Sequence, residues 1–184
     1  EMTLRQLQVG DAIDSRDFLD RVDMLSALGK PVLISNFLRY HRLLTYLWRY
    51  TQRPIGLPLG LVRLRDIMDE KFYTDLPGGI MESLGQLFRK GVKLYVYPSL
   101  DRNGKLTTVE NMEVAPHLKH LYAHLVENKC VEDIRNYTSE GVSIYSGEVL
   151  NKIEKGDSSW EKCVPPPVAD VIKKKRLFGY GQAK

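Results

Sequence analysis

"VKLYVYPSL", residues 92–100, decides the fold class. It is rich in β-branched and aromatic residues, which suit a pleated surface. Its alternation puts Leu94 and Val96 on one face and Tyr95 and Tyr97 on the other. The next residues, "DRNG" (101–104), predict a hairpin turn, because Asn and Gly tolerate positive φ. "KLTTVENMEV" (105–114) is then read as the returning strand. Upstream, "IMESLGQLFRKG" (80–91) predicts a helix closed by Gly91, preceded by the turn "DLPGG" (75–79) and a helix over "RLRDIMDEKFY" (63–73). "IGLPLGL" (55–61) reads as a strand, and Pro58, which cannot donate to a ladder, restricts it to an edge.

Further out, "PVLISNF" (31–37) is a continuous apolar run, the mark of a strand covered on both faces. Phe18, Leu19, Val22, Leu25 and Leu28 recur at helical spacing in residues 14–28, and Gly29 stops that helix. A second helix is predicted from Leu38 to Gln52, broken by Pro54. Towards the C-terminus the pattern gives a helix from Pro116 to about Cys130 and an extended piece at "VSIYS" (142–146). A short helix at "GEVLNKIEKG" (147–156) and a last one at "VADVIKKKR" (168–176) follow. Strands separated by helices indicate an α/β fold with a small, mostly parallel sheet of three to five strands and flanking helices. So few strands suggest an incomplete or partner-completed Rossmann-like layer. Residues 1–155 are read as one α/β domain. Residues 156–184 are read as a docking segment, in which Trp160, Val164 and Phe178 anchor the chain and a short basic helix follows.

At 184 residues, with 43% hydrophobic and 27% charged residues, the composition is that of a globular protein rather than a disordered one. The net charge of +4 favours acidic partners or phosphates without requiring them. Two cysteines, Cys130 and Cys163, argue against a disulfide framework and for a reducing, cytoplasmic setting. The apolar runs are too short to span a bilayer. "EMTLRQLQVG" (1–10) is not read as a signal peptide. Glu1 ahead of Met2 reads as a piece of a longer chain.

The predicted second helix brings Arg39, Arg42, Arg49 and Arg53 into one quadrant with Tyr46 between them. Guanidinium forks suit phosphate or carboxylate oxygens. Ser35 and Asn36 lie at the mouth of the "PVLISNF" strand, where helix amides attract anions in open α/β sheets. Gly78 and Gly79 offer a second set of backbone amides. These six residues, Ser35, Asn36, Arg39, Arg42, Gly78 and Gly79, form the candidate ligand-binding set. "LISN" (33–36) also resembles the second motif of haloacid dehalogenase-like phosphatases. That resemblance implies an earlier strand ending in an Asp-x-Asp pair, and none precedes Ser35. "LDRNGKLT" (100–107) looks like that pair, but it follows "LISN" and carries Asn103 in place of the second acid.

His117, His120 and His124 fall along one face of the predicted 116–130 helix, extended by Glu127. Three collinear histidines seldom reach one ion, so no metal and no cofactor is expected. The basic run Lys173–Arg176 is read as solvated charge, with nucleic acid or an acidic surface as the secondary reading. No phosphate loop, dinucleotide fingerprint or nucleophile elbow is present. Base, nucleophile and electrophile cannot be placed together, so no reaction is assigned. The sequence favours a non-catalytic interaction or structural domain that joins another polypeptide or the rest of a larger chain. The alternative is binding or processing of a phosphorylated small molecule or nucleotide at Ser35 and Asn36.

Overall fold

The computed structural model describes residues 1–3, 8–9, 12–13, 15–100, 104–138 and 140–181. The chain divides into two compact units, Arg39–Ser143 and the pair of segments Glu1–Leu38 and Ile144–Lys184. The first segment holds β1 (Met2–Thr3), β2 (Gln8–Val9), β3 (Ala12–Ile13), α1 (Ser15–Ser26) and β4 (Ile34–Ser35). The inserted unit holds α2 (Tyr40–Leu47), β5 (Gly56–Gly60), α3 (Leu61–Ile67), α4 (Gly79–Leu87) and β6 (Lys93–Tyr97). It continues with β7 (Ser99–Leu100), β8 (Leu106–Thr107), α5 (Lys119–Glu127) and β9 (Val131–Asp133). The last segment holds α6 (Ser146–Glu154) and α7 (Pro166–Lys175). No helix of the described residues is long and apolar enough to cross a membrane.

The inserted unit carries the α/β signature. Its sheet runs β5-β6-β9, all parallel, with β6 in the centre. Leu57 and Leu59 align with Leu94 and Val96, and Leu94 aligns in turn with Val131. This face meets the core, which takes Leu64 and Ile67 from α3, Leu84 and Leu87 from α4 and Leu125 from α5. Burying each such side chain contributes roughly 1.5–3 kcal/mol. The other face carries Tyr95 and a Lys93–Glu132 ion pair of 2.6 Å that ties β6 to β9. Pro58 does sit in an edge strand, opposite Tyr95. Gly56 leaves room there for the Tyr95 ring, which would have to shift if a Cβ came within 2.8 Å of it.

Several sequence expectations change in detail. Strand character in "PVLISNF" is confined to Ile34–Ser35, paired in parallel with Met2–Thr3. Leu33 is 38% exposed and Ile34 45%, so this is not the covered central strand expected. An apolar run signals burial only if neighbours cover it, and among the described residues only β1 pairs with it. The second helix ends at Leu47 rather than Gln52, with Trp48–Tyr50 closing it through shorter-range turns. The third helix stops at Ile67 and gives way to a 3₁₀ turn at Glu70–Tyr73. "VSIYS" contributes only part of a 3₁₀ turn, Gly141–Ser143. β8 does return against β7, with Leu106 opposite Leu100, but the turn residues Asp101–Asn103 lie outside the described residues.

The other unit has its own core of Val149, Ile153, Trp160, Val168, Ala169, Ile172 and Leu177. Trp160 stacks edge-on against Tyr180, with centroids 5.9 Å apart. Pro166 and Pro167 open α7, where a missing N–H costs nothing. Lys175 of α7 pairs with Asp23 of α1 at 2.6 Å, and Arg21 lies over the Phe178 ring. Trp160 and Leu177 are thus core residues of this unit, with Val164 and Phe178 half-buried against them.

Candidate functional site

The six residues marked by the sequence fall in different places. Ser35 and Asn36 belong to the discontinuous unit, and Arg39, Arg42, Gly78 and Gly79 to the inserted one. The Ser35 hydroxyl donates to a Glu1 carboxylate and accepts from the Phe37 N–H. Asn36 is exposed. Neither caps α2, whose N-cap residue is Arg39 with no side-chain cap. Arg39 stacks its guanidinium 4.3 Å from the Phe72 ring centroid and donates Nε–H to the Phe72 carbonyl. Arg42 pairs with Asp75 at 2.6 Å in the open, where such a pair contributes at most about 1 kcal/mol. The arginine stripe does not continue, because Arg49 and Arg53 lie past the end of α2.

The glycine turn is internally satisfied. The Gly78 N–H donates to Glu82 Oε2 at 3.0 Å, and the Gly79 N–H donates to the Leu76 carbonyl at 2.9 Å. Gly79 adopts φ +53°, a conformation that side chains resist. An anion here would have to displace a carboxylate the protein already holds at the amide.

Two of the three stripe histidines have local partners. His117 Nε2 meets Glu70 at 2.5 Å, and His124 lies beside Asn128. No group of three metal-ligating side chains comes together among the described residues.

The periodicity of α2 and α4 conceals a buried polar pair. His41 Nδ1 lies 3.0 Å from the Ser83 hydroxyl, and the Tyr73 ring is 6.0 Å from the imidazole. His41 is 4% exposed and Ser83 1%, so the pair is closed off from bulk solvent. Tyr73 donates its hydroxyl to the Ile67 carbonyl at 2.8 Å. Burial, reinforced by the charge of Arg42, holds the His41 pKa below the usual 6.5. The unfolded chain takes up this proton near pH 6.5, the folded imidazole only at lower pH. Stability from this group is therefore complete above pH 6.5 and drains away as the pH falls towards the folded value. Denaturant midpoints measured from pH 7.5 down to 5 should show that slope, and His41→Leu should flatten it.

An accessible cleft of about 600 Å³ lies between α5 and the segment 108–116. Apolar parts of Val109, Met112, Val114, Tyr122, Ala123 and Val126 line it. Its volume lies in the range of pre-formed ligand sites, about 300–1,000 Å³. The wall facing α5 is fixed by side chains. Tyr122 donates its hydroxyl to the Val109 carbonyl at 2.7 Å. Asp133 accepts the Val109 N–H at 3.0 Å. Asn111 accepts the Thr108 N–H at 2.7 Å and donates to the Leu106 carbonyl at 3.0 Å. Asp133 turns inward at the carboxyl end of β9, and burial raises its pKa. Across the ridge formed by Met112, Glu113 and Val114 lies a second cleft of about 280 Å³, bounded by Arg65, Met68 and Leu118.

Sequence reading missed both the cleft and the pair. The "VENMEV" stretch looked like a strand, and nothing in its spacing marks a pinned loop. Asp133 gave no signal either, because "VED" does not read as a strand in which an acid would stand out. Comparison of the chain with protein-family models, curated proteins and solved structures finds no match.

Proposed function

We propose that Arg39–Ser143 is a non-catalytic docking domain that takes a segment of another polypeptide into the cleft beside α5. The observation that carries this reading is an apolar cleft whose loop wall is fixed in place by Tyr122, Asp133 and Asn111. A pre-organised wall lowers the ordering cost of association. The free thiols Cys130 and Cys163 fit a reducing, cytoplasmic setting for such a domain.

A display library of short random peptides, selected on the whole protein and counter-selected on Ala123→Trp, tests this. Ala123 lines the cleft midway along α5, and an indole there fills it. Selected peptides should weaken by at least about tenfold in the variant, the loss of one good apolar anchor. A selection that yields no peptide sensitive to this substitution would sink the docking reading.

A further inference from the structure

Resting on that docking reading, we infer that the occupant of the α5 cleft is a basic, apolar peptide segment of a partner protein, its lysine or arginine side chains meeting Glu110, Glu113 and Glu127. These three carboxylates border an apolar floor, against the single ammonium of Lys119. The chain as a whole is basic, with net charge +4, so the acidic rim runs against the average of its surface. Helix stability does not account for it. Glu127 is the last residue of α5 and Lys119 the first, and each charge sits at the end of the helix dipole that disfavours it. Both line the cleft. Glu113 stands on the ridge shared with the smaller cleft, where Asp69 and Glu70 add carboxylates and Arg65 a single guanidinium. The two carboxylates are matched within the protein, Asp69 by Lys71 and Glu70 by His117. Among the described residues Glu110, Glu113 and Glu127 have no ion-pair partner within 4.0 Å, and their charge is open to a visitor.

An apolar anchor flanked by cations would satisfy the floor and the rim together. Rim charges of this kind set association rate and partner choice more than raw affinity. The smaller cleft across the ridge would receive a second side chain of an extended segment.

The selected peptides themselves are the test. Those enriched on the wild-type protein should pair apolar residues with lysine or arginine. Their affinity should fall by about tenfold in the triple variant Glu110→Lys, Glu113→Lys, Glu127→Lys, as three exposed charge pairs are reversed. The triple variant should in turn enrich acidic peptides. All three glutamates are exposed, so the variant keeps its core, and a thermal melt checks that it does. Ala123→Arg serves as a second blocking variant if Ala123→Trp unfolds. Neutral or acidic peptides that still depend on Ala123 would overturn the charge inference and leave the docking reading standing. Peptides that bind the triple variant as tightly as the wild type would do the same. Saturable binding of the amine probe phenethylamine, with no peptide recovered, would overturn a polypeptide partner.

Discussion

Replacing Trp160 with alanine should cost the protein about 3–5 kcal/mol. Trp160 is 1% exposed and lies among Val149, Ile153, Val168, Ile172 and Leu177. Its indole is the largest side chain in that core, and a smaller residue leaves a void that these aliphatic neighbours fill only in part. The edge-on contact with Tyr180 is lost as well, worth about 0.5–1.5 kcal/mol within that total. Denaturant unfolding followed by circular dichroism measures the effect. Tyr50→Ala is the control, since Tyr50 is 72% exposed and gives up little beyond a 5.2 Å ring contact with Tyr46, so it should lower stability by no more than about 1 kcal/mol. A Trp160→Ala protein as stable as the Tyr50→Ala control would mean that the tryptophan serves a surface and not a core.

Val96→Asp should abolish folding of the Arg39–Ser143 unit. Val96 is fully buried in the central strand, between Leu59 of β5 and Asp133 of β9. A carboxylate there enters the apolar core and already faces Asp133, so it must be protonated or unfold the sheet. The change costs several kcal/mol, a large share of a domain's total stability. Tyr95→Asp, one residue earlier, points to the opposite face and should be tolerated with a loss of about 1 kcal/mol. Soluble yield and amide-proton dispersion distinguish the two. Equal behaviour of both variants would contradict the register of β6 with β5 and β9.

Particular residues show how much was legible. The alternation of Leu94 and Val96 with tyrosines placed β6 correctly because cover on one face and exposure on the other write themselves into a period of two. Pro58 announced an edge because a missing donor has one meaning in a ladder. "PVLISNF" misled because hydrophobicity reports a capacity for burial, not the presence of a neighbour. "VED" at β9 stayed hidden because two acids obscure a strand whose pairing comes from Leu94 and Val96. The cleft was out of reach for a different reason. Its wall depends on a hydrogen bond that Tyr122 donates and one that Asp133 accepts, and both residues stand well along the chain from Val109. The candidate anion residues were chemically apt, yet the fold gives Arg42, Gly78 and Gly79 partners of its own.

Asp23 and Lys175 meet at 2.6 Å across 152 positions of chain. Everything in Arg39–Ser143 lies between them. On a ribosome, where chains grow at about 5–20 residues per second, the inserted unit has all three strands of its parallel sheet before α7 exists. Helix α1 is made early and waits through the synthesis of an entire neighbour for the helix it packs against. Closing so long a loop is slow but adds only logarithmically to the entropy cost. Met24 of α1, which packs against the core that α7 completes, therefore stays uncovered until α7 is made, and a mutation that weakens α7 would betray itself as a defect at α1, far away in the sequence.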